Sequence, residues 1–260
     1  MIDEPMKTIP ASPDPSPSQT LLAARLPAIA VLICGALAVF GVETNHLVLT
    51  IIFKPLTTIL LFAVVGRPRS LFAKLVAAGI GLSLLGDVAL LKEGQAAFVV
   101  GLAGFLLAHL LYVAAFVRVG RLSPLVAKVA AVMVLLTGVL LWTILPGAAG
   151  VRIPTVIYAT AITTMVISAV STRRAALPGA AFVMAGAILF YVSDSSLALD
   201  KFYRPIPHVS LLTMGVYWLG QLGIALGARS AGQNVVKNAM RSRFWSSLSP
   251  GSSLKSEVPK

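Results

Sequence analysis

The sequence predicts an all-α fold: a polytopic membrane helix bundle with eight transmembrane helices and both termini cytoplasmic. Three observations predict it. The chain of 260 residues is 57% hydrophobic and only 12% charged, with a mean hydropathy of +0.90, whereas a soluble domain carries about 25% charged residues. Its apolar residues gather into eight segments, most of them near the length of roughly 20 residues that a helix needs to cross a bilayer. Its basic residues fall mainly in alternate connections between those segments.

The elements follow in order. Residues 1–25 read as a disordered leader, because Pro5, Pro10, Pro13, Pro15 and Pro17 alternate with serines. No basic stretch directly precedes an apolar core there, so a secretory signal peptide is not expected. The membrane domain is expected over residues 26–228, with spans near 26–42, 47–65, 71–91, 96–117, 125–145, 153–171, 178–199 and 208–228. Short polar breaks set the limits: Glu43 to His46, Gly66 to Arg69, Lys92 to Gln95, Arg118 to Pro124, Pro146 to Arg152, Thr172 to Arg174, and Asp200 to Pro207. Residues 229–260 read as a basic cytoplasmic tail. Within it Val236, Met240 and Phe244 recur every fourth residue beside Lys237 and Arg241, which suits a short interfacial helix or a solvated tail.

Charge gives the orientation. Sixteen basic residues, among them Arg25, Arg67, Arg69, Lys74, Arg118, Arg121, Lys128, Arg173, Arg174 and Arg229, fall on the side that also holds both termini. Four, Lys92, Arg152, Lys201 and Arg204, fall on the other. Positive charge stays cytoplasmic. The net charge of +12 is thereby explained by topology and anionic lipid, and no nucleic-acid partner is expected. The single cysteine, Cys34, lies in an apolar run and excludes both an internal disulfide and a thiolate metal site.

Against this apolar background the ionisable residues stand out. A carboxylate at a helix centre costs roughly 2.5 kcal/mol or more, so it rarely occurs without a role. Asp87 and Asp194 each lie about five residues before the outer end of a predicted span, which suggests one shared site at matched depth. Lys54 enters the same outer half from the second span, Tyr158 from the sixth, and Tyr217 with Gln221 from the eighth; His109 and Tyr112 sit deeper in the fourth. Each has a plain alternative. Lys54 can snorkel, His109 can be a core histidine bonded to a carbonyl, and the tyrosines can belong to an interfacial belt. The aspartates can form a structural pair with Lys54. Ser193, Ser195 and Ser196 are expected to make local helix hydrogen bonds. No G-x-S-x-G elbow supports a serine hydrolase. His46, His109 and His208 match no compact metal motif, so no metal site is expected.

Taken in order, these segments resemble a known family. Lys54-Pro55-Leu56, Gly86-Asp87 with Leu90, Gly101 through Phe105 to His109 and Tyr112, Ser193-Asp194 with Leu197, and Tyr217 to Gln221 are similar to the successive motifs of the YhhN family, the lysoplasmalogenases. The resemblance covers about residues 27–228, and Trp218-Leu219-Gly220 departs from its pattern.

The resemblance implies hydrolysis of the vinyl ether bond of a lysoplasmalogen to a fatty aldehyde and glycerophospho-ethanolamine or -choline. Its substrate is then a lysophospholipid drawn from the surrounding membrane lipids, and no cofactor is implied. Its setting would be a bacterial plasma membrane. Two carboxyls suit that reaction as acid and base, which makes Asp87 and Asp194 the expected catalytic pair. Lys54, His109, Tyr112, Tyr158, Tyr217 and Gln221 are expected to support them or bind substrate. The rival expectation is a proton-coupled transporter, which also places carboxylates and a lysine in its spans. No internal repeat of the kind transporters show is visible between the two halves.

Overall fold

A computed structural model describes the backbone of residues 17–248 and the side chains of residues 25–233. The described residues form eight α-helices: α1 Pro17–Glu43, α2 Leu47–Val65, α3 Leu71–Ala89, α4 Gln95–Val119, α5 Pro124–Ile144, α6 Arg152–Arg174, α7 Ala180–Phe202 and α8 Val216–Leu248. A π turn, Leu211–Gly215, leads into α8. Eight stretches of 19 to 25 residues, one in each of α1 to α7 and one running from the π turn into α8, are long and apolar enough to cross a membrane. The chain is an integral membrane protein, and the all-helical bundle of eight spans is as expected.

Among the boundaries that differ from the sequence reading, four bear on the site or on the ends of the bundle. The first helix begins at Pro17, inside the stretch expected to be leader, although the part apolar enough to span runs from Arg25 to Glu43. Helix α3 stops at Ala89, so Asp87 lies in its last turn. Helix α7 continues to Phe202, so Asp194 lies two turns before its end. The expected matching of the two aspartates by distance from their helix ends therefore does not hold. The fourth difference is α8, which runs on past residue 228 to Leu248 as one continuous helix. Residues 1–16 and 249–260 lie outside the described residues, and so do the side chains of Val236, Met240 and Phe244.

Local chemistry accounts for several ends. Ser70 Oγ accepts from the Ala73 amide at 3.1 Å and caps α3. Ser123 Oγ accepts from the Val126 amide at 3.3 Å and caps α5, whose first residue is Pro124. Both relieve amides that open a helix without an intrahelical partner. Gly179 precedes α7 with φ +80°, a left-handed conformation open to glycine at little cost.

Helices pack as α1 on α2, α3 on α4, α7 on α8, and α4 on α6. Small residues set the spacing, as in membrane bundles where close backbone approach replaces the hydrophobic drive. A Cβ added at Gly104 would meet Leu82 O at 3.0 Å and the Gly86 amide nitrogen at 3.1 Å. One added at Gly223 would meet Phe182 O at 2.9 Å. The α3–α4 and α7–α8 pairs are thus held at glycine distance, and these four helices carry most of the polar residues discussed below. Leu61, Ile80, Phe116, Met165, Phe190 and Ile224 fill the centre. Helix α5 is peripheral and, among the described residues, packs only on α6 and α7. It turns Trp142 outward, 85% exposed in the isolated chain, where lipid covers it in a bilayer. Thr137 of α5 is within 2.6 Å of Thr163 Oγ1 and 3.0 Å of the Tyr191 hydroxyl, which ties α5 to α6 and α7.

Candidate functional site

At one end of the bundle, between α2, α3, α4, α5, α6, α7, the π turn and the start of α8, lies a cavity of about 300 Å³. Five of the eight residues singled out from the sequence line it: Lys54, Asp87, Tyr158, Asp194 and Tyr217. The two aspartates reach one cavity although they stand at different distances from their helix ends. The remainder of the wall is mainly apolar, including Leu90, Phe98, Leu102, Ile144, Ile162 and Met214.

Asp87 is buried, and two hydroxyls donate to its Oδ2: Thr58 at 2.5 Å and Tyr217 at 3.0 Å. Both donors are themselves held. The Trp218 indole N–H donates to Thr58 Oγ1 at 3.1 Å. Gln221 Nε2 lies 3.4 Å from the Tyr217 oxygen, and its Oε1 accepts from Tyr112 at 2.7 Å. Tyr112 and Gln221 are completely buried behind the cavity wall, so they act on Asp87 through Tyr217. Tyr217 packs edge-on against Phe105 and Phe190, which fixes its ring plane.

Asp194 is served differently. Tyr158 donates to its Oδ2 at 2.5 Å. His109 Nε2 stands 3.7 Å from the same oxygen, too far for a hydrogen bond. The imidazole is completely buried, edge-on to Tyr158 and Phe190, and neither ring nitrogen has a hydrogen-bond partner. The alternative of a core histidine bonded to a carbonyl is therefore not met, and His109, expected to support the site, stands behind Tyr158 and does not line the cavity.

Lys54 is buried at the cavity wall and does not snorkel to an interface. Among the described residues it forms no ion pair within 4.0 Å with a carboxylate. Its neighbour Pro55 lies inside α2 and cannot donate to the Ile51 carbonyl, so a backbone acceptor is freed next to the site.

The roles of three residues differ from the sequence reading or are missing from it. Thr58 lies one turn beyond Lys54, on the same face of α2, and that spacing was the available signal. Trp218, noted only as a departure from the family pattern, steadies Thr58. Ser193 does not bond within its own helix. Its hydroxyl donates to Thr213 O at 2.7 Å and ties α7 to the π turn, which contributes Thr213 and Met214 to the cavity. Ser196 makes the expected local bond, to Val192 O at 2.8 Å. The histidines do not gather. His208 pairs with Glu43, which also accepts from Ser210. Among the described residues no three His, Cys, Asp or Glu side chains converge as metal ligands do.

Two carboxyl groups facing one largely apolar cavity, each with a tyrosine hydroxyl on it, have the composition that acid–base chemistry on a chain-bearing molecule requires. Comparison with known proteins points the same way. The sequence profile of the YhhN family matches residues 49–228. The chain is 33% identical to lysoplasmalogenase TMEM86A of Bos taurus, over 58% of this chain and 63% of that protein. It is 35% identical to lysoplasmalogenase TMEM86B of Homo sapiens, over 64% of this chain and 69% of that protein. It is 32% identical to a lysoplasmalogenase of Mycobacterium bovis, over 61% of this chain and 62% of that protein. The matches thus span a little under two thirds of the bovine and mycobacterial relatives. No solved structure matches the chain.

Proposed function

This chain belongs to the YhhN family, and from that premise we propose that it hydrolyses the vinyl ether bond of lysoplasmalogens, releasing a fatty aldehyde and a glycerophospho-ethanolamine or -choline. The observation that carries the reading is the pair Asp87 and Asp194 on one largely apolar cavity. An enol ether is cleaved by protonation at its β-carbon, which needs one carboxylic acid and one carboxylate in the same enclosed space.

The hydrogen bonds divide the roles. Hydroxyl donors favour the ionised form of a carboxyl. Asp87 accepts two and Asp194 one. Asp194 is then the acid and Asp87 the base. The Asp194 carboxyl gives its proton to the β-carbon, and the ether oxygen shares its electrons to form an oxocarbenium ion. Water adds to that cation while Asp87 takes a proton from it. The resulting hemiacetal collapses as Asp87 returns the proton to the glycerol oxygen and Asp194 takes the hemiacetal hydroxyl proton. Both carboxyls regain their starting states, and no cofactor enters. Tyr158 and Tyr217 aim the two carboxyls, and the partly formed cation is stabilised by Asp87. Lys54, at the wall without a carboxylate partner, serves the substrate's phosphate, and the apolar wall takes its chain. The setting is a bacterial plasma membrane, with the cavity in the outer leaflet.

The test is direct. Purified protein in detergent is incubated with lysoplasmalogen, and aldehyde is measured over time for the native chain, Asp87→Asn and Asp194→Asn. Aldehyde release by the native chain that both variants lose supports the reading. Wild-type release by well-folded variants ends it at this site. Substrate uptake by proteoliposomes with no aldehyde formed returns the protein to the transporter alternative.

A further inference from the structure

The end of the bundle opposite the cavity carries a second concavity, unconnected with the acid–base site. It measures about 170 Å³ and lies between the α2–α3 turn and α8. Arg67, Arg69 and Arg229 line it, together with Gln233 and the glycines Gly66 and Gly232. Arg67 and Arg69 are exposed. Arg229 is anchored, because its Nη1 donates to Val64 O at 3.0 Å, while its Nε is buried without a hydrogen-bond partner. The pocket is open at Gly232, where an added Cβ would meet nothing within 4 Å.

Three guanidiniums around so small a space repel one another unless an anion lies between them. The protein supplies none among its described side chains. Their carboxylates are Glu43, Asp87, Glu93, Asp194 and Asp200, and all five belong to the opposite end: the close of α1, α3 and α7 or the α3–α4 turn. The remaining basic residues of this end, including Lys74, Arg118, Arg121, Arg173 and Arg174, add to the same positive field. Guanidinium forks match phosphate oxygens in geometry as well as charge. The pocket also lies at the ends of three apolar spans, those of α2, α3 and α8, the level at which headgroups meet a spanning bundle. Leu71, on the first turn of α3, and Phe62, in the last turn of α2, stand outward on the two helices that this turn joins, 54% and 37% exposed.

We propose that Arg67, Arg69 and Arg229 form a binding site for a phosphate-bearing anion, supplied by the headgroup of an anionic phospholipid of the adjoining leaflet. The exposed Leu71 and Phe62 lie along its acyl chain. Such a lipid would pin α8 to the α2–α3 turn, and so stabilise the helix that carries Tyr217 and Gln221.

The experiment uses the full chain purified in neutral detergent and follows its thermal unfolding midpoint. Phosphatidylglycerol, phosphatidylcholine and inorganic phosphate are added separately. Phosphatidylglycerol is expected to raise the midpoint by a few degrees, as a ligand of the folded state does, and phosphatidylcholine to leave it. The paired variant Arg67→Gln/Arg69→Gln should lose more than half of that rise. The pair Arg173→Gln/Arg174→Gln, with the same charge change at the same end, should keep it. Equal loss in both pairs means a diffuse positive field and overturns the site. No rise with phosphatidylglycerol overturns it as well. Inorganic phosphate that protects as well as the lipid, with protection lost only in Arg67→Gln/Arg69→Gln, supports the phosphate site and overturns its lipid source.

Discussion

Asp87 takes hydrogen bonds from Thr58 and Tyr217, while Asp194 takes one from Tyr158 alone, and that asymmetry leads to distinct mutational outcomes. Asp87→Asn and Asp194→Asn should each lower aldehyde release by about 10²-fold or more, the usual range for a lost acid or base. The double variant should be little worse than the poorer single one, because residues acting as a unit are not additive. The pH profile should be bell-shaped and belong to the pair. Thr58→Val tests the assignment of roles. Losing a donor weakens the ionised form of Asp87, so the acidic limb of the profile should move to higher pH, while Thr58→Ser restores it. The variant also leaves the Trp218 indole N–H without its acceptor, at about 1–3 kcal/mol of stability, and the folded yield should fall accordingly. Lys54→Met should cost activity with the fold intact, and Lys54→Arg should also impair it, since a guanidinium is wider than an ammonium; full activity in Lys54→Met would remove Lys54 from the site. Legibility at this scale followed cost. Charged and phenolic groups in apolar segments are expensive, so Lys54, Asp87, Asp194, Tyr158 and Tyr217 stood out. Threonine does not, because it commonly bonds its own helix, as Thr57 does to Phe53 O at 2.6 Å.

Helix pairs explain why residues far apart in sequence meet. The α3–α4 contact is closed at Gly104 and Gly86, and the same two helices carry Asp87, His109 and Tyr112. Gly104→Val would push its side chain into the Leu82 carbonyl and the Gly86 amide. It should cost about 1–3 kcal/mol, as overpacking does, read as a lower unfolding midpoint in detergent, and it should reduce turnover by shifting Asp87 away from Tyr217 on α8. An unchanged midpoint would mean that α4 can slide without loss. The existence and order of the eight helices were legible because hydropathy reports burial in lipid directly. Their ends were less so. Helix α3 stops at Ala89 although Leu90 and Leu91 are as apolar as what precedes them, and hydropathy has no means to register that stop. The π turn at Leu211–Gly215 was invisible for the same reason: it changes backbone hydrogen bonding and not composition. It re-aims Thr213 and Met214 into the cavity, and Ser193 holds it there.

Over the whole molecule the charges separate along the bundle axis. The described carboxylates all lie toward the cavity end, whereas Arg67, Arg69, Lys74, Arg118, Arg121, Lys128, Arg173, Arg174 and Arg229 lie toward the other. With eight helices crossing in alternation, the start of α1 and the far part of α8 share that basic end. Retention of Lys and Arg in short loops on the cytoplasmic side then predicts that this basic end faces the cytoplasm and that the cavity opens in the outer half of the membrane. Reporter fusions decide it. Fusions at residue 95, at the start of α4, and at residue 205, after α7, should report the outside. Fusions at residue 175, after α6, and beyond residue 230, on α8, should report the inside. The pattern must alternate, because each pair of sites is separated by an odd number of spans where the signs differ and an even number where they agree. An external signal beyond residue 230, with an internal one at 95, would invert the protein. The acid–base cavity would then draw its lipid from the cytoplasmic leaflet, and the arginine pocket would face the outer one.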